Sequence, residues 1–281
     1  MKIRTGYTIG YDTFGPTPLT YQLNVHPSRA IDLLTSDAMR VDPPVPMRTY
    51  TDGFGNTCVR LLSPGGRVTV SADFLIADSG ELDAYEPTAR QFAVQDLPDD
   101  VLVFLLGSRF CETDKLSAIA WSLFGTTPEG WARVQAIVTW VHQRIRFDYQ
   151  LADATRSAFD GYNQQVGVCR DYAHLAVALC RCMNIPARYC TGYLGDIGVP
   201  VDINPMDFSA WFEVYLNGSS GGRWYTFDAR HDARRIGRIV IARGRDATDV
   251  AISTSFGTAL LAQFDVHTDA VPDDFVLMQA A

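Results

Sequence analysis

The residue most able to do covalent chemistry is Cys169. It lies in Gly167-Val168-Cys169-Arg170-Asp171-Tyr172-Ala173-His174-Leu175, where a loop carrying a glycine runs into a repeat of apolar residues. Tyr172, Leu175, Ala176, Leu179 and Met183 recur at spacings of three and four, which predicts a helix from Cys169 to Met183. Asn184 can close that helix and Pro186 prevents its continuation. A cysteine at a helix mouth meets unpaired backbone amides and the positive end of the helix dipole, both of which favour an anion. The position therefore predicts a depressed thiol pKa, and the same amides could hold the oxyanion of an attacked acyl group. Gly167 would let a substrate backbone approach closely. Cys180, Cys182 and Cys190 read instead as buried structural thiols.

Other elements must position that helix. Up to about residue 95 the pattern alternates with period two, as in Tyr7, Ile9 and Tyr11, in Tyr21, Leu23 and Val25, and in Val68 and Val70. Gly15-Pro16, Asp52-Gly53, Gly55-Asn56 and Pro64-Gly65-Gly66 supply turns between these runs. The expectation is an antiparallel β-sandwich over residues 1–96. Helical patterns follow: Thr127-Pro128-Glu129 resembles a helix start, and Trp131, Val134, Ile137, Val138 and Val141 share one face as far as Arg144. Residues 148–168 read as loop. Strands are expected over Ala187–Gly192, Ser209–Leu216, Trp224–Asp228 and Arg238–Ala242. The division is thus 1–96, 97–245 and a poorly patterned C-terminal extension, 246–281.

Bulk properties exclude several functions. With 47% hydrophobic and 20% charged residues the chain is ordinary globular material, long enough at 281 residues for two modest domains. A net charge of -8 argues against nucleic acid or an anionic membrane as partner, since nothing offsets phosphate repulsion. The N-terminus lacks the apolar core of a secretory signal, and no apolar run reaches the roughly 20 residues of a membrane span. Four of the six cysteines fall within one helix-to-strand unit, so reduced thiols and a cytoplasmic location are expected. Cys180 and Cys182 lie about 200° apart around a helix and cannot chelate one metal together. Without zinc spacing or a phosphate loop, no cofactor is expected.

The segment GVCRDYAHLAVALCRCMNIPARYCTGYL, residues 167–194, resembles the nucleophile segment of the bacterial transglutaminase-like superfamily. Three further blocks agree in order. Asp52-Gly53-Phe54-Gly55-Asn56 resembles a hairpin of the family's N-terminal β-domain. Ala210-Trp211-Phe212-Glu213-Val214-Tyr215-Leu216 resembles the strand that carries the base, and Trp224-Tyr225-Thr226-Phe227-Asp228 the strand that carries the acid. The resemblance implies an α+β fold, an N-terminal antiparallel β-sandwich followed by a papain-like core whose Cys-bearing helix packs on an antiparallel sheet. It implies attack of a Cys169 thiolate on an amide carbonyl of a peptide or protein, a histidine as base, and Asp228 to orient the imidazole. The acyl group then passes to an amine or to water.

One residue departs from that pattern. The family's base strand begins His-Ala-Trp, and here it reads Ser209-Ala210-Trp211. Serine cannot serve as a general base near neutral pH. His174 falls about 140° from Cys169 around their helix and reads as packing. His231, three residues after Asp228, stands open between an exposed loop histidine and a displaced base. A straight strand would send it to the opposite face, and a turn after Asp228 would lift that restriction. His26, His142 and His267 lie outside the matched blocks. Trp211 could wall the acyl site, although a packing aromatic is the simpler reading, and Asp171 reads as a cap for its own helix. Arg188 could anchor a buried carboxylate. Two functions follow: a thiol enzyme acting on amide bonds, or a catalytically silent module that binds peptides or partner proteins through the same cleft.

Overall fold

The computed structural model describes residues 1–202 and 206–277. Strands β1 (Lys2–Thr13), β2 (Thr17–Tyr21), β3 (Arg40–Asp42), β4 (Met47–Thr51), β5 (Thr57–Ser63) and β6 (Gly66–Ala77) form the N-terminal half. Helices α1 (Thr113–Phe124) and α2 (Trp131–Arg144) follow. After them come β7 (Arg146–Phe147), α3 (Ala158–Gln164), β8 (Val166–Gly167) and α4 (Cys169–Cys182). Strands β9 (Ala187–Tyr193), β10 (Ser209–Gly218), β11 (Gly221–Phe227), β12 (Ile239–Gly244), β13 (Ser253–Ser255) and β14 (Ala259–Val271) complete the order.

Two four-stranded antiparallel sheets, β14-β1-β6-β3 and β13-β2-β5-β4, make the sandwich. Their inward residues, among them Ile3, Ile9, Leu19, Leu61, Val68 and Phe74, share one apolar core. The stretch 246–281, where the sequence shows no strand pattern, supplies a strand to each sheet. Lys2 lies opposite Val271 and Tyr21 opposite Ser253. Leu23 and Val25 extend the expected alternation, yet β2 stops at Tyr21.

A third antiparallel sheet, β11-β10-β9-β12, carries α4 across its face. Ala210, Phe212, Val214 and Leu216 point toward the helix layer and are buried in apolar clusters. The opposite face is also covered. There Glu213 accepts from Arg188 Nε at 2.6 Å and from Arg243 Nε at 3.0 Å, so Arg188 does anchor a buried carboxylate. The Asp52–Asn56 turn clamps this face to the sandwich. Asp52 Oδ1 accepts from the amides of Phe54 and Asn56, and the Asn56 side chain exchanges two 2.8 Å hydrogen bonds with the backbone of Arg243.

Two local differences from expectation have clear causes. Helix α2 begins at Trp131 because Gly130, at φ 83°, turns the chain after Pro128. Residues 158–164, read as loop, form α3, started by a reciprocal cap between Ser157 and Asp160. Helix α4 runs as expected, with Asn184 in the left-handed region (φ 59°) just beyond its end.

Candidate active site

Helix α4 delivers Cys169 to the start of β10. The residue is half-buried and packs against the apolar cluster that holds Ala210. The cysteine therefore lies beside Ser209, the first residue of β10. Asp171 fixes the helix start. Its Oδ2 accepts from the Val168 N–H at 2.8 Å and pairs with Arg156 at 3.2 Å. A β-carbon on Gly167 would lie 2.4 Å from that same oxygen, so the glycine makes room for the cap.

Asp228 follows the last residue of β11 and is almost fully buried. A turn closes immediately after it: the Asp232 N–H donates to the Asp228 carbonyl at 2.9 Å. Inside this turn Asp228 Oδ1 accepts from the amides of Arg230 and His231 at 3.0 and 3.1 Å. Oδ2 lies 2.8 Å from His231 Nδ1. The turn returns His231 to its own carboxylate, which a straight strand would have prevented.

Arg238 completes the arrangement. It donates to Asp228 Oδ2 and, through Nε, to Asp83 Oδ2, both at 2.9 Å, and its guanidinium lies 5.1 Å from the centre of the Trp211 ring. Burial alone would raise the Asp228 carboxyl. The Arg238 charge and His231 overturn that effect and hold it below the usual carboxylate range. Asp228 is therefore an anion, with His231 Nδ1 and Arg238 on its Oδ2. No pattern in the sequence singled out Arg238.

His231, Ser209, Tyr149, Asp207, Arg230 and Arg235 line one cavity of about 850 Å³. Trp211 does not line it. That ring is 2% exposed and packs under Arg238 with Cys190 and Val240. His174 is fully buried between Phe110 and Tyr189, ring centres 5.2 and 4.9 Å away, and its Nε2 accepts from Ala247 N–H at 3.1 Å. It does not belong to the site.

The depressed thiol expected at the helix mouth is not found. Burial pushes the Cys169 thiol up to about 11, against the opposing pull of Arg230 and the Ala210 amide, while the Asp207 and Asp228 carboxylates add to the rise. Burial outweighs the Arg230 charge, and that burial is not visible in the local sequence. All six cysteines are unpaired. Among the described residues no helix is long and apolar enough to cross a membrane.

A helix whose first residue is a cysteine, packed on an antiparallel sheet, is the layout of a papain-like core. Residues 118–229 match the model of the transglutaminase-like superfamily. A crystal structure from Cytophaga hutchinsonii, provisionally named a cysteine protease, superposes with a TM-score of 0.80. It is 30% identical, and the match covers 100% of this chain and 94% of that one. The uncharacterized protein ML0607 of Mycobacterium leprae is 26% identical over 216 residues, 72% of this chain and 73% of its own. The uncharacterized protein Rv2569c of Mycobacterium tuberculosis is 30% identical over 143 residues, which is 46% of this chain and 45% of that protein. The chain belongs to the transglutaminase-like superfamily.

Proposed function

We propose that this protein is a cysteine acyl-transfer enzyme acting on amide bonds of peptides or proteins, with Cys169 as nucleophile and His231 as a base displaced from the position that Ser209 occupies. The observation that carries this reading is the 2.8 Å contact between His231 Nδ1 and Asp228 Oδ2 at the wall of the cavity that Ser209 also lines. With Nδ1 committed to the carboxylate, Nε2 is the nitrogen left to accept a proton.

A thiol near 11 rests protonated at neutral pH. The site therefore works by proton transfer during attack rather than from a standing ion pair. His231 Nε2 takes the Cys169 proton as the sulfur attacks the carbonyl carbon, and the carbonyl π pair moves onto oxygen. Collapse of this intermediate breaks the C–N bond, the imidazolium gives its proton to the departing amine, and a Cys169 thioester remains. Water or a second amine, deprotonated by His231, then attacks the thioester and releases the thiol. Asp228 holds its negative charge throughout and stabilises the imidazolium.

The raised Cys169 thiol favours a second reading, a silent module that binds peptides in the cleft. One experiment separates the two. The full-length protein is incubated with a p-nitrophenyl ester or a peptide amide, and its intact mass is followed. An adduct of acyl mass on Cys169 is expected in the wild type, none in Cys169→Ala, and at least a hundredfold slower formation in His231→Ala. Equal acylation of the wild type and His231→Ala would remove the displaced base, and no adduct in any protein would leave the silent module.

A further inference from the structure

Loss of the histidine at position 209 removes a base from beside the sulfur, and it removes a cation as well. His231 can replace the base. The arginines packed around Asp228 are not equally available to replace the charge. Arg238 is bound to Asp83 and Asp228, and Arg235 donates to the Gly195 carbonyl at 3.0 Å. Arg230 differs. Among the described residues its guanidinium has no carboxylate within 4 Å and no hydrogen bond.

The Arg230 backbone is nevertheless fixed on both sides. Its N–H donates to Asp228 Oδ1 at 3.0 Å, and its carbonyl accepts from His142 Nδ1 at 2.9 Å. The guanidinium lies 4.1 Å from the centre of the Phe147 ring, and the residue lines the cavity beside His231, Ser209 and Tyr149. An aromatic face holds a guanidinium in place without neutralising it. The result is an oriented positive charge, one residue from the proposed base, with no carboxylate in contact; Asp207, which lines the same cavity, feels it from beyond 4 Å.

We propose that the anion Arg230 serves is the Cys169 thiolate itself, so that Arg230 supplies the positive charge lost with the histidine at 209. This inference rests on the reading of Cys169 as nucleophile. As His231 Nε2 accepts the thiol proton, negative charge gathers on sulfur, and the nearby guanidinium lowers the energy of that charge.

The charged and titratable groups acting with Cys169 come from several elements. Asp207 precedes β10, Asp228 follows β11, Tyr149 follows β7 and Tyr189 stands on β9. The two carboxylates oppose a thiolate. Arg230 favours it, since its guanidinium lies over Phe147, and Phe147 pairs in the β7–β8 ladder with Gly167, two residues before Cys169. Neutralising Arg230 would remove that favourable charge and leave Asp207 and Asp228 acting against the thiolate.

The test is the pH profile, from 6 to 11, of Cys169 alkylation by iodoacetamide in the full chain, with Arg230→Met, Arg230→Lys and His231→Ala compared with the wild type. Arg230→Met is expected to slow alkylation at pH 8 about tenfold, which is one unit of thiol pKa, and to move the profile toward higher pH. Arg230→Lys should restore most of the rate. An Arg230→Met profile that coincides with the wild type overturns the proposal.

The two readings fail differently. If His231→Ala blocks acyl-enzyme formation while Arg230→Met leaves the alkylation profile unchanged, only the role of Arg230 is lost. If neither variant differs from the wild type and no acyl-enzyme forms, the nucleophile reading falls. Should Arg230→Met not fold, the ratio of iodoacetate to iodoacetamide rates in the wild type and Arg230→Lys decides. A cation beside the sulfur gives a ratio above that of a free small thiol and one that falls with added salt. A ratio equal to the free thiol and indifferent to salt overturns the proposal.

Discussion

Gly167 and Asp171 occupy each other's space: a β-carbon on Gly167 would stand 2.4 Å from Asp171 Oδ2 and 2.6 Å from its Cβ. The carboxylate cannot retreat freely, because it accepts from the Val168 N–H and pairs with the buried Arg156. The glycine two residues before Cys169 thus secures the helix start that carries it. Gly167→Ala should cost about 1–3 kcal/mol by overpacking. It should also change the Cys169 alkylation rate, because the displaced cap moves the first helical turn. Urea unfolding together with alkylation checks both, and an unchanged midpoint would show that the cap relaxes without penalty.

Ser209 and His231 line the same cavity, and under the proposed mechanism a histidine returned to position 209 should serve Cys169 in place of His231. His231→Ala is expected to lose between about a hundredfold and ten-thousandfold of acylation rate. Adding Ser209→His to that variant should recover at least a tenth of the loss. Failure of the double variant to recover, with its fold intact by circular dichroism, would mean that the start of β10 no longer accommodates a base.

Glu213 tests the sheet's opposite face and has no place in the chemistry. Its buried carboxylate lies between Arg188 and Arg243, whose charges hold it below the usual range against the rise that burial imposes. Glu213→Gln leaves two partly buried guanidinium groups facing a neutral amide and should destabilise the chain by about 2–4 kcal/mol. A loss below about 1 kcal/mol in chemical denaturation would show that water or other partners take up the two charges.

Legibility from sequence divided along the range of the interactions involved. The Cys169 helix could be read because its period, its Asn184 end and Pro186 are local. Partition of β10 into Ala210, Phe212, Val214 and Leu216 toward the helices followed from the pleat alone. His231 stayed open because its position depends on whether the chain turns after Asp228, and that turn is held by the carboxylate itself. Strand β14 gave no signal because most of its residues are exposed on both faces, and its partner β1 lies at the other end of the chain. Helix α3 did leave a signal, the Ser157–Asp160 cap, within a stretch polar enough to read as loop. The thiol pKa could not be read at all, since the helix end is local while the burial that raises the thiol comes from packing against a cluster of residues distant in sequence, Tyr189 and Ala210 among them.

His174 predicts how the fold responds to acid. It is fully buried against Phe110 and Tyr189; burial, assisted by Arg170 and Arg181 and opposed by Asp246, pulls its imidazole from the ordinary 6.5 down to about 3. The folded chain therefore keeps His174 neutral where the unfolded chain has already protonated it. Between 6.5 and 3 the unfolded state binds the extra proton, so the contribution to stability is complete above 6.5 and drains away as pH falls toward 3. His26, lowered to about 4 by burial and by Arg243, acts in the same direction over a narrower window. His174→Phe retains an aromatic ring between the two neighbours and abolishes this titration, while giving up the hydrogen bond from the Ala247 N–H. The variant should be less stable than the wild type at pH 7, and the difference should shrink as the pH is lowered to 4.5. Urea midpoints at the two pH values measure it, and a difference that stays constant or grows would show that His174 is protonated within the fold.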